Sequence, residues 1–213
     1  MVSAQAGASE MNRESLILIW GLAFEHMDER LAEIEPRVVR REWADDVRYS
    51  LRPLQFERFG RKGRELDSRE LMQRGGAAFE YGFDADDRLL MASDPYPGGP
   101  YTSLFLYEGS VVTVITYHGP TEIPWAVEQA EYEDGRQTAY GRMALGSWLT
   151  RPGFGDNRDP EALASRHGLE ILLEMLVWED DAIIRIDGKA GTASGRLDRY
   201  VVRPKINIHT GPE

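Results

Sequence analysis

The feature that most restricts how this chain can fold is an aromatic residue followed by a short Gly/Asp-rich turn, met four times at nearly constant spacing. The aromatics are Phe59, Phe83, Tyr107 and Tyr132, separated by 24, 24 and 25 residues. Behind them stand Gly60-Arg-Lys-Gly63-Arg64, Asp84-Ala-Asp-Asp87-Arg88, Glu108-Gly109-Ser110 and Glu133-Asp-Gly135-Arg136. Residues rich in aromatic and β-branched side chains flank each turn, which is the local signature of a β-hairpin. The spacing predicts four successive hairpins over 49–141, with strands at 54–59 and 64–66, 78–83 and 88–91, 103–107 and 111–117, and 127–132 and 136–140. Side chains two apart share a sheet face, so Tyr81 and Phe83 fall together, as do Phe105 and Tyr107. The third hairpin is almost unbroken in its apolar character and is expected in the sheet's centre, covered on both faces. The fourth carries Glu128, Glu131, Glu133 and Arg136 and reads as half exposed.

Outside the repeat, residues 12–34 place Leu16, Trp20, Ala23, Phe24, Met27, Leu31 and Ile34 at helical spacing, predicting an amphipathic helix that covers the sheet. Pro36 is its expected stop. Residues 37–50 fit either a second helix or a strand. Asp159-Pro160 resembles a helix start, and the stripe Leu163, Ile171, Leu172, Met175 and Leu176 predicts a helix over 159–178. Short strands are expected at 182–186 and 197–202. Residues 1–10 read as a disordered leader, 11–203 as a single domain and 204–213 as a tail. The fold class expected is α+β: an antiparallel hairpin meander with N-terminal and C-terminal helices packed on one face.

The pattern of aromatic, acid, short turn, arginine and apolar residue is similar to the YD repeat of rearrangement-hotspot-type toxin shells. Phe83-Asp84-Ala-Asp-Asp87-Arg88-Leu89 matches it best, and Tyr132-Glu133-Asp-Gly135-Arg136 next. Tyr107-Glu108-Gly109 keeps only the first half, and Phe59-Gly60 lacks the acid. The resemblance implies an antiparallel meander. Four copies cannot enclose a cargo, so the shell's function does not carry over. By analogy, a toxin-neutralising immunity-type protein is one setting in which a small acidic protein of this build fits.

Composition narrows the function classes. A formal net charge of −11 argues against nucleic-acid binding, which rests on basic groups facing phosphates, and favours a basic protein partner. The absence of cysteine removes disulfides and thiolate chemistry. The longest apolar run, Leu16 to Phe24, is nine residues, short of the roughly 20 a membrane helix needs. No membrane association, secretion signal or cofactor is expected, and the compartment that follows is cytoplasmic. His26, His118, His167 and His209 are far apart, and Asp84, Asp86 and Asp87 miss the spacing of a calcium loop. No metal site is therefore expected. No nucleophile elbow, phosphate loop or dinucleotide fingerprint occurs, and Ser68, Ser147 and Ser165 have no feature that marks them as nucleophiles.

Two readings stay open, beside a third option of self-association through an edge strand or through the apolar helix at 16–27. The first is a non-enzymatic protein-binding module using the sheet's uncovered face and the Pro/Gly-rich loop 94–100, with Tyr96 and Tyr101 exposed there. The alternative is an enzyme or small-ligand-binding protein with its site on that face, drawing on Tyr81, Arg88, Tyr107, His118, Trp125 and Arg136. Arg64, Arg88 and Arg136 are expected in one row along the sheet, gripping an anion or pairing with Asp84, Glu108 and Glu133.

Overall fold

The computed structural model describes residues 11–23, 27–75, 77–95, 100–119, 123–145, 169–192 and 195–203. Ten strands form one antiparallel sheet in strict chain order. They are β1 (Arg40–Ala44), β2 (Phe79–Phe83), β3 (Leu89–Asp94), β4 (Tyr101–Glu108), β5 (Val111–His118), β6 (Ile123–Glu133), β7 (Arg136–Leu145), β8 (Leu169–Glu179), β9 (Ala182–Thr192) and β10 (Leu197–Val202). Helices α1 (Arg13–Ala23) and α2 (Met27–Ile34) precede the sheet, and two short ones, α3 (Gln55–Phe59) and α4 (Ser68–Gln73), lie between β1 and β2. The expected α+β meander with N-terminal helices is the architecture found.

The turns show why these strands pair as neighbours. In the β2–β3 turn, Asp84 accepts from the backbone N–H groups of Asp86 and Arg88, each at 2.9 Å, and Asp87 takes a left-handed φ of 59°. The acidic cluster 84–87 is thus a turn former. In the β6–β7 turn, Asp134 and Gly135 are both left-handed, at 49° and 77°, the conformation that suits the twist of a tight hairpin. Asp180 does the same between β8 and β9.

One face of the sheet carries a continuous row, paired strand to strand: Met91, Leu104, Ile115, Val127, Met143, Ile171, Gly191 and Leu197. Leu104, Ile115, Val127, Met143 and Ile171 are fully buried, each worth about 1.5–3 kcal/mol of transfer free energy. Helix α1 lies over this row against β6 and β7. Its stripe Leu16, Trp20 and Ala23 is buried in the same cluster, together with Ile34 of α2. Asn12 caps α1 through its side chain on the Ser15 N–H at 2.9 Å. At the other end Trp20 donates to the Pro124 carbonyl at 3.1 Å, and Tyr117 to that of Ala23 at 3.2 Å. Gly141 makes the close approach possible: a Cβ there would stand 2.7 Å from Met11 Sδ and 3.2 Å from Leu16 Cδ1. The apolar stripe therefore closes within its own domain.

Three expectations are corrected. The segment 54–59 is not the first strand of a hairpin but contains α3, ended by Gly60 at φ 69°. Phe56 and Phe59 are three apart and fit a helix as well as a strand. Arg64–Leu66 makes only an isolated bridge, Ala44 with Glu65, so β1 takes the place beside β2 and decides the ambiguity of 37–50. Residues 169–178, expected as the end of a C-terminal helix, are β8; 159–168 lie outside the described residues. Its leucines and glutamates favour a helix intrinsically, yet hydrogen bonding to β7 and β9 along nearly its whole length outweighs that preference. The fourth hairpin is half exposed, as expected: Val127, Ala130, Ala139 and Tyr140 are buried, whereas Glu133 to Arg136 are exposed. The expected arginine row does not form. Arg64 lies outside the sheet and pairs with Glu70, whereas Arg136 pairs with Asp181 of the β8–β9 turn.

Candidate functional site: an aromatic cleft on the second face

The opposite face begins from the neighbouring residue on each strand. Its row runs Glu42, Tyr81, Ala92, Ser103, Thr116, Ala126 and Ala144. Five consecutive positions are small. Where the helix face is filled by leucine, isoleucine, valine and methionine, this face has a floor of Ala92, Ser103, Thr116 and Ala126. Ser103 and Thr116 share a hydroxyl–hydroxyl bond of 2.9 Å across it.

Around the floor stand large rings. Phe79 and Tyr81 come from β2, Tyr101 and Phe105 from β4, and Trp125 from β6. Trp125 owes its orientation to a bulge. The β5–β6 pairing slips between Thr116 and Tyr117, so that Pro124 opposes Tyr117 while Ala126 opposes Thr116. The extra residue between them is Trp125, and a bulge re-aims a side chain in this way. Its ring meets Tyr101 edge-on at 5.1 Å, and Tyr101 meets His118 at the same distance.

The segment after β1 forms a roof. Arg48 donates its backbone N–H to Tyr81 Oη at 2.9 Å, and Gln137 donates to the Leu51 carbonyl at 2.9 Å, tying the segment at both ends. Tyr49 packs edge-on against Tyr81 and Phe83, at 4.9 and 5.5 Å, and its hydroxyl donates to Glu42 at 2.9 Å. Between floor, walls and roof lies a cleft of about 580 Å³, within the range of small-molecule sites.

Polar groups are few in this cleft. Glu128 accepts from the Tyr140 hydroxyl at 2.6 Å and faces Arg142 at 3.9 Å, so these charges compensate each other. Asp94, the last residue of β3, has no cation within ion-pair distance among the described residues. Burial and the neighbouring Asp46 carboxylate raise its pKa. Burial pushes the Tyr81 hydroxyl up to about 12, with the Asp94 charge adding to the shift. His118 is lowered by burial and is mostly neutral at neutral pH. Gln55, at the start of α3, lines the cleft with a buried Oε1 that has no hydrogen-bond partner among the described residues.

Of the residues singled out from sequence, Tyr81, Tyr101 and Trp125 line this cleft, and His118 adjoins it through Tyr101. Tyr107 lies in a neighbouring cleft of about 390 Å³ with Leu89, Val112 and Tyr132, its hydroxyl donating to the Leu89 carbonyl at 2.9 Å. Arg88 belongs to a separate mixed-charge cleft beside α2. Arg136 stands at the β6–β7 turn over Trp178, apart from the site, and Tyr96 lies outside the described residues. Tyr49, Gln55, Asp94, Glu128 and Arg142 were missed. Only Asp94 had a local signal, and it was absorbed into the loop reading of 94–100. Among the described residues no three His, Asp or Glu side chains gather as metal ligands, and no helix is long and apolar enough to cross a membrane. No protein-family model, curated protein or solved structure matches this chain.

Proposed function

We propose that this protein is a small-ligand-binding module whose site is the cleft between the small-residue floor of the sheet and the 45–55 roof. The observation that carries the reading is the coincidence of four small side chains in register with aromatic walls around them. A sheet face that only needed covering would be filled, as the helix face is, since interiors are packed close to crystal density. Here the volume is kept open and edged by rings that offer large contact area at low entropic cost. The ligand is an organic molecule with a flat or branched apolar body.

The test is a titration with N-phenyl-1-naphthylamine, a neutral apolar fluorophore. Saturable one-to-one enhancement is expected, and Ser103→Phe, which raises a ring from the floor, should abolish it while keeping the melting temperature near that of the unmodified protein. Absence of saturable binding to the unmodified protein would sink the reading.

A second reading, recognition of a basic protein partner in the manner of an immunity-type protein, is favoured by a different observation. Ile17, Leu18 and Leu22 are exposed along the outer side of α1 on a chain of net charge −11. Capture of one stoichiometric basic partner, lost on Leu18→Glu, would support it. A clean blank would count against it.

A further inference from the structure

We propose that the cleft selects an organic ammonium ion, with Asp94 as its counter-charge and the rings of Tyr81, Tyr101 and Trp125 around it. The inference rests on the ligand-binding reading above and adds the chemical class of the ligand.

Three observations converge. First, the charges of the cleft do not cancel: Glu128 is matched by Arg142 and the Tyr140 hydroxyl, which leaves Asp94 without a cationic partner among the described residues. Second, the carboxylate lines the same cleft as the aromatic rings. Asp94 and Tyr101 are register partners on adjacent strands, Tyr101 touches Trp125, and Asp94 acts electrostatically on the Tyr81 hydroxyl. Ring faces carry negative potential, so rings beside a carboxylate attract a cation and repel an anion. Third, Gln55 Oε1 is an acceptor with no donor among the described residues. A buried acceptor left unmatched is costly, and an N–H donor from the ligand would satisfy it. Two acceptors and three rings suit a primary or secondary ammonium on an apolar or aromatic body. Among the described residues Arg142 is the one cation that lines the cleft, and it already faces Glu128; Arg52, whose Nε has no partner among them, is not a lining residue, so a carboxylate or phosphate ligand would meet Asp94 and Glu128.

The chain's overall charge acts in the same direction, raising the local concentration of small cations around the molecule. That effect falls with salt, whereas preference at the site persists once exposed charges are screened.

The experiment compares three ligands that share one framework and differ in charge: phenethylammonium, phenethyl alcohol and 3-phenylpropionate. Each is titrated calorimetrically into the full chain at 150 mM salt. Phenethylammonium is expected to bind about tenfold more tightly than the alcohol, with 3-phenylpropionate weakest. In Asp94→Asn the ammonium-to-alcohol ratio should fall to about one. Because the ratio is also read in the unmodified protein, a variant that fails to fold does not remove the test. If the alcohol or the propionate equals the ammonium while N-phenyl-1-naphthylamine still binds, the cation assignment is overturned and the ligand-binding reading stands. If neither the naphthylamine nor any of the three binds, both fall.

Discussion

Adjacent residues on the same strands build two different surfaces. Leu104, Ile115 and Val127 belong to the apolar core under α1, whereas Ser103, Thr116 and Ala126, one residue away, leave room for a cleft. The backbone is common to both, and so is the register. What differs is side-chain volume and what closes the surface. A capped helix seated on Gly141 seals one face. An irregular segment held at Tyr81 and Gln137 only bridges the other. One ladder thus supports stability on one side and openness on the other.

The sharpest way to break this comparison is to truncate neighbours. Ile115→Ala opens a cavity beneath α1 and should cost about 2–5 kcal/mol in denaturant unfolding. Thr116→Ala, on the cleft floor, removes one hydroxyl contact with Ser103 and should cost about 1 kcal/mol or less. Equal losses would mean that the two faces are packed alike. Further along the sheet, Tyr200 lays its ring over Gly188, where an added Cβ would lie 2.1 Å from the ring, and donates to Glu174 at 2.7 Å. Gly188→Val should cost about 1–3 kcal/mol by forcing the ring away, read from the same unfolding curves. Trp20→Phe keeps the ring packing under α1 but loses the bond to Pro124. Its expected cost is about 1 kcal/mol.

Two titrations compare the faces without changing their volume. Tyr117 on the helix face and Tyr81 on the cleft face are both pushed up to about 12, burial being the main cause in each. Both raised values favour the neutral phenol in the folded state. Their contribution to stability is therefore complete below pH 10 and lost as pH rises through about 12. Absorbance at 295 nm should show a late-ionising set of tyrosines that also includes Tyr140, raised by burial; Tyr117→Phe and Tyr81→Phe should each remove one phenol from that set. The smallest effect is expected at Glu70, away from both faces. Its bonds to Arg64 and to the Asp67 backbone lower it to about 2, so the capping box of α4 holds above about pH 4.5 and weakens as pH falls through about 2. A carboxyl NMR titration of Glu70 gives the midpoint directly.

The sequence by itself determined the elements whose physics is local. Three hairpins were legible because Asp84–Asp87, Gly109 and Asp134-Gly135 set turn geometry within a few residues. Helix α1 was legible because Leu16, Trp20 and Ala23 repeat at helical spacing. Tertiary structure decided the rest. Leu169–Glu179 satisfies helical and strand patterns equally, and became β8 only because β7 and β9 supply backbone partners on both sides. Phe56 and Phe59 became part of α3 because β1 had already taken the edge beside β2. The cleft was the least legible feature of all. Ala92, Ser103, Thr116 and Ala126 are unremarkable in their own strands, and their smallness gains meaning only when register aligns them across four strands. Trp125 reaches the cleft through a bulge, and Asp94 serves as a counter-charge only because, among the described residues, no cation stands within ion-pair distance of it.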